Sequence, residues 1–246
     1  MSTVHVIGAG ISGLACATRA AISGVDVALY EAAGQAGGRA RSFHDESLGC
    51  MIDNGNHLLL GANESTRAYL ADIDAGEMIR EIAPAAFPFM DLSSGERWRV
   101  RPGGGLLPTW IFSKDRRIPG TTTGEYLRQA YRLKRAGKTD TVLGAVGNDS
   151  VLYKTLWQPL CRAALNTDAS EASAKLMWIV LRETFMKGEE ACRPWFFHKG
   201  LSAALVNPAI RFLKENNAEV RFQARLRGLR WTDHKITSLY FPEGML

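Results

Sequence analysis

A β-branched run from Thr3 to Ile7 gives way at once to the glycine turn Gly8-Ala9-Gly10-Ile11-Ser12-Gly13, followed by Leu14, Ala15, Ala17, Ala20, Ala21 and Ile22 at helical spacing. The pattern predicts strand, tight turn and helix. Gly24 ends that helix, Val25 to Tyr30 supplies a second apolar strand, and Glu31 stands at its carboxyl end, 18 residues after Gly13. Farther on, a helix is predicted from Tyr126 to Ala136 and apolar residues crowd predicted helices from about residue 150 to 187. Ser202 to Asn216 followed by Glu219 to Phe222 reads as a helix returning to a strand, and Leu226 to Trp231 with Lys235 to Phe241 as a small meander. Arg101-Pro102-Gly103-Gly104-Gly105 is the clearest loop, and no internal repeat is visible.

Strand, glycine turn, helix, strand and terminal carboxylate in register form the dinucleotide-binding βαβ fingerprint. Gly8 allows the sharp turn, Gly10 lets backbone approach a pyrophosphate, and Gly13 lets the helix pack on the strand. Amides at the helix start hold the phosphates, aided by the helix dipole, and the Ser12 hydroxyl adds a donor. Glu31 offers two acceptor oxygens to ribose hydroxyls and repels a 2′-phosphate, so an adenine dinucleotide of the NAD or FAD type is expected rather than NADP.

The 246 residues, 46% apolar and 22% charged, suffice for one large domain or two small ones. Cys16, Cys50, Cys161 and Cys192 form no C-x-x-C pair, which argues against a zinc cage or a disulfide framework and for a reducing compartment. No metal site is expected. No basic leader or cleavage site precedes the first strand, so a cytoplasmic location is expected. The longest apolar run, Leu176 to Leu181, is far below the roughly 20 residues that span a bilayer. Charge changes this picture in one respect. Residues 1–96 carry 5 basic and 12 acidic side chains, residues 97–246 carry 25 and 13. Within the basic part, Arg128, Arg132 and Arg135 recur at i, i+4, i+7 beside Leu127, Ala130, Tyr131 and Leu133, which reads as a helix for peripheral contact with an anionic membrane or as an ordinary solvated face. No aromatic platform or finger spacing points to nucleic acid.

Residues 4–43, VHVIGAGISGLACATRAAISGVDVALYEAAGQAGGRARSF, resemble the N-terminal signature of the FAD-dependent amine oxidase and carotenoid desaturase superfamily, in which the dinucleotide fold runs into a G-G-R segment. Cys50 to Gly61, Leu156-Trp157-Gln158-Pro159-Leu160, Ala164-Leu165-Asn166-Thr167 and Ala172-Ser173-Ala174 are similar to the squalene-associated branch, the hydroxysqualene dehydroxylases of hopanoid biosynthesis; Asn56 departs from the glutamine more usual there. The resemblance implies an α/β fold: an FAD-binding Rossmann-like domain of the glutathione-reductase type with a mixed α+β substrate domain inserted. On that pattern 1–60 is the first half of the FAD domain, 61–200 the substrate-side insertion, and 201–246 an incomplete return. The chain stops just where the family continues, so it reads as C-terminally truncated.

The same resemblance implies the chemistry. An allylic C30 alcohol, hydroxysqualene, is reduced to squalene by reduced FAD, with acid-assisted loss of the hydroxyl and hydride delivery to the allylic cation, so the protein chiefly positions an apolar chain and excludes water. Gly37, Gly38 and Arg39 are expected against the FAD diphosphate and flavin side, Gly55 near the isoalloxazine, and Leu226 facing the adenine. Asp53 or His57 is the candidate proton donor; a turn or capping role for Asp53 and a structural hydrogen bond for His57 are the alternatives. Trp157, Pro159, Leu160, Leu165, Met177, Trp178, Leu181, Phe185 and Met186 are candidates for lining an isoprenoid tunnel, or simply core. Expected partners are the isoprenoid lipid, a membrane surface and other enzymes of the hopanoid pathway. A carotenoid or phytoene desaturase, an amine oxidase, and an inactive dinucleotide-binding remnant share the N-terminal signature.

Overall fold

The structure, a computed structural model, describes residues 3–55, 58–103, 108–242 and 244–245. They fall into two compact units. The first takes in Met1–Leu58, Glu64–Arg80 and Phe196–Leu246, the second Leu59–Asn63 and Glu81–Trp195.

In the first unit, strand β1 (Thr3–Ile7), helix α1 (Ile11–Ile22) and strand β2 (Asp26–Tyr30) form a βαβ unit with parallel strands. A third parallel strand, Glu219–Arg221, pairs with the other edge of β2, so β2 is the middle of the sheet and is buried from Val27 to Tyr30. Central parallel strands lose water on both faces, and the run Val27-Ala28-Leu29-Tyr30 supplies the unbroken apolar sequence this requires. Helix α1 buries Leu14, Ala17 and Thr18. The hairpin β3 (Ser42–Asp45) and β4 (Cys50–Asp53) follows the first loop.

The chain returns at Leu201, whose helix begins with a wide π-helical turn over Ser202–Val206 and continues as α-helix over Asn207–Glu215. Pro208 explains the wide turn, since it has no N–H to donate to the carbonyl four residues back. The predicted meander forms as strands Gly228–Thr232 and Lys235–Phe241, with Gly244–Met245 on the far edge. Its tight turn places Asp233 and His234 at φ 50° and 62°, the left-handed pair that two-residue hairpins demand. Phe241 stacks on Tyr30 with ring centroids 4.7 Å apart.

The second unit is mainly helical, with a hairpin of Phe87–Met90 and Arg97–Val100. Helix Thr123–Arg135 opens on a full capping box: Thr122 accepts from the Glu125 amide while the Glu125 carboxylate accepts from the Thr122 amide at 2.6 Å. The helical stretch from Tyr153 to Leu165 contains two π-helical turns, the first leading into Pro159. Together with helix Ala174–Glu183 these segments enclose a core of Trp110, Tyr126, Leu133, Trp157, Met177 and Leu181. Gln129 is polar and buried beside this core, bonded to the Trp157 indole N–H (2.5 Å) and to the Ser150 hydroxyl (3.0 Å).

Candidate nucleotide-binding site

The turn between β1 and α1 is held from both sides. The Gly8 amide donates to the Tyr30 carbonyl at 2.7 Å, and Gly8 has φ 95°, which an L side chain rarely adopts. A Cβ on Gly13 would lie 1.8 Å from the Gly8 carbonyl oxygen, so α1 comes against β1 as closely as backbone permits. A Cβ on Gly10 would meet nothing within 4 Å. The space over Gly10 is therefore open while that over Gly13 is full, the asymmetry a phosphate-binding turn needs. No side chain caps the start of α1, no acidic residue sits in its first turn, and Ser12 is exposed there. An anion is the natural partner for such a terminus.

Glu31 does more than face outward. Its Oε2 accepts from the Ala9 amide and its Oε1 from the Ala33 amide, both at 2.8 Å. The carboxylate thus ties the glycine turn to the loop after β2 and keeps a second acceptor position on each oxygen for ribose hydroxyls. Segment 221–224 crosses the same loop: the Glu31 amide donates to Arg221, and the Gln223 and Ala224 amides donate to the carbonyls of Ala33 and Glu31. Leu226, half-buried, follows two residues later. Burial raises the Tyr30 phenol above its ordinary pKa, opposed by the Arg221 guanidinium 5.7 Å over its ring.

Gly37 and Gly38 lie against the turn. The Gly37 amide donates to the Ala9 carbonyl at 2.8 Å, Gly37 bridges to Gly10, and a Cβ on Gly38 would come within 3.4 Å of the Gly10 Cα. Gly37 has φ 108°, and a Cβ there would press on the Ala40 carbonyl (2.9 Å) and on Val206 (3.1 Å). Arg39 is exposed, and among the described residues its guanidinium has no acid partner. It remains available to a phosphate.

Asp53 sits at the end of β4, with its Oδ1 accepting from the Ser42 hydroxyl (2.6 Å) and the Leu201 amide (2.9 Å). Ser42 and Ser202 exchange a reciprocal pair, each amide donating to the other's hydroxyl at 2.7 and 3.0 Å. Gly200, at φ 86°, completes this clasp, because a Cβ would lie 2.9 Å from the Ser42 hydroxyl. Neither serine announces itself in sequence, since each finds its partner 160 residues away and no periodicity marks such a pair. Gly55 is exposed with open space over it; His57 lies outside the described residues. Among the described residues no group of three His, Cys, Asp or Glu side chains could hold a metal.

The model of the family described as flavin containing amine oxidoreductase matches residues 11–244. The chain belongs to this family. Among curated relatives it is 45% identical over 240 residues to the hydroxysqualene dehydroxylase of Sinorhizobium fredii and 44% over 239 residues to that of Rhodopseudomonas palustris. These matches take in 98% and 97% of the chain and 57% of each relative, so the chain spans somewhat over half the length of the relatives it matches. An oxidoreductase from Methanosarcina mazei, 13% identical, superposes with a TM-score of 0.71 over 100% of this chain and 57% of its own. The shared fold is that of a flavin-containing amine oxidoreductase, and a flavin is the cofactor that the glycine turn of this family member fits. No helix among the described residues is long and apolar enough to cross a membrane.

Proposed function

We propose that this amine-oxidoreductase chain binds FAD and serves the reductive dehydroxylation of hydroxysqualene to squalene. The observation that carries the cofactor choice is the pairing of the open Gly10 turn with the Glu31 carboxylate, since an acid at this strand end accepts from a ribose diol and opposes a 2′-phosphate. The substrate choice is supported by 45% identity to a hydroxysqualene dehydroxylase over nearly the whole chain.

In this reading the amides at the start of α1 hold the diphosphate, with Ser12, Arg39 and the Gly37-Gly38 backbone alongside. Glu31 takes the adenosine ribose and Leu226 covers the adenine. When bound and reduced, FAD would supply a hydride for the allylic carbon, and the hydroxyl would leave with a proton as water. Asp53 or His57 is the proposed proton donor. For Asp53 the neutral-acid role competes with its two accepted hydrogen bonds, and Asp53→Asn separates the roles because an amide can keep both partners of the clasp but transfers no proton.

The test uses the full-length, flavin-loaded protein, reduced anaerobically and given hydroxysqualene. One squalene formed per flavin reoxidised is the expected result; reoxidation without squalene, or no turnover by a fully flavin-loaded protein, rejects the substrate.

A further inference from the structure

Helix Thr123–Arg135 turns Tyr126, Gln129 and Leu133 inward and leaves two apolar side chains outside, Leu127 at 50% and Tyr131 at 59% exposure. These two stand one turn apart on a single stripe, which Lys134 continues. The adjoining stripe is Arg128, Arg132 and Arg135, all exposed. Arg135 lies 5.8 Å from the Tyr131 ring centroid, and among the described residues no acid pairs with Arg128, Arg132 or Lys134. The nearby acids are engaged, Glu125 in the capping box and Asp140 with the Gly137 amide.

Beside the apolar stripe opens a cleft of about 250 Å³. Leu127 and Tyr131 form one lip, Trp110, Trp157, Trp178 and Phe185 line the interior, and among the described residues that line it Lys134 is the only charged one. The turn that carries Trp110 also holds out Phe112, 65% exposed. The cleft is smaller than the roughly 300–1,000 Å³ that encloses a whole small molecule. It suits the end of a long chain whose remainder stays outside.

A protein partner would be expected to bring acids to such a surface and to fill the cleft with a side chain of fixed shape. A bilayer brings a field of negative headgroups over flexible apolar chains, which matches parallel basic and apolar stripes with an aromatic at their border. We infer that helix Thr123–Arg135 and its cleft form a docking surface for a bilayer carrying anionic lipid, with the end of one acyl chain lodged in the cleft. This inference is independent of the reaction proposed above.

The experiment is co-sedimentation of the full-length flavoprotein with vesicles of phosphatidylcholine, with and without phosphatidylglycerol, read together with tryptophan quenching by brominated acyl chains. Binding is expected only when phosphatidylglycerol is present. Each cation near such a surface strengthens binding roughly fivefold, so Arg128→Gln with Arg132→Gln is expected to weaken it about 25-fold at unchanged flavin content. Leu127→Ser with Tyr131→Ser is expected to abolish the quenching, and Trp178→Phe to reduce it. Equal binding to neutral vesicles, indifference to the arginine pair, quenching that survives the Leu127 and Tyr131 changes, or self-association through these residues without lipid would each overturn the proposal.

Discussion

Gly13 and Gly10 are both glycines of one turn, yet their substitution is expected to fail for different reasons. Gly13→Ala drives a methyl group into the Gly8 carbonyl, and because backbone rather than a mobile side chain must yield, a loss of about 3 kcal/mol in urea unfolding is expected. A Cβ at Gly10 finds open space, so Gly10→Ala should cost no more than the roughly 1 kcal/mol of a weaker N-cap while the protein loses its bound flavin. Equal effects of the two on stability would contradict the geometry. Glu31→Gln keeps the shape but turns one acceptor into a donor facing a backbone amide, at a cost of about 1–3 kcal/mol, seen as a lower melting temperature even without flavin. The thiols divide in the same residue-by-residue way. Burial pushes Cys161 up to about 11 and Cys192 up to about 12, whereas Cys16 and Cys50 are exposed. Iodoacetamide at pH 8 should therefore modify two cysteines in the folded chain and all four in denaturant.

Ion pairs join elements of the second unit. Arg193 donates to Glu189 at 2.8 Å and to Glu81 at 2.8 Å, and Glu81 also accepts from the Trp195 indole at 3.0 Å. The hydrogen bonds from Arg193 hold the Glu189 carboxyl below its ordinary pKa. A depressed carboxyl contributes its stability above the unfolded value, near 4.3, and loses it as the pH falls through the folded one. Glu189→Gln is accordingly expected to lower the melting temperature at pH 7 and to converge with the parent in acid; a difference that persists at pH 2 would refute this. The elements themselves were unevenly legible in the sequence. β1, α1 and β2 were plain because glycine positions, β-branched strands and a terminal acid all state the same thing locally. The helix predicted from Tyr126 begins three residues earlier, because the signal that starts it is the Thr122–Glu125 capping box rather than an apolar residue. The Ser42–Asp53–Ser202 clasp was not legible at all, since it depends on a fold already made.

Each of the two compact units has its own buried residues, and only the first contains the nucleotide turn. A ligand that binds the folded state alone stabilises it by about 2.7 kcal/mol at a hundred times its dissociation constant. Stripping the flavin should therefore lower the calorimetric transition of the first unit and leave that of the second in place; a uniform shift of both would show that they melt together.

The middle strand of the first unit, β2, takes one neighbour from the amino end of the chain and the other from Glu219–Arg221, and Ala224 closes onto Glu31. Nearly two hundred residues separate β2 from that second neighbour. On the ribosome, the glycine turn emerges first, but the pocket it belongs to has only one wall until the far strand is made. Cofactor capture is thus a late event of synthesis, and a nascent chain stalled before residue 219 should emerge colourless however much flavin surrounds it.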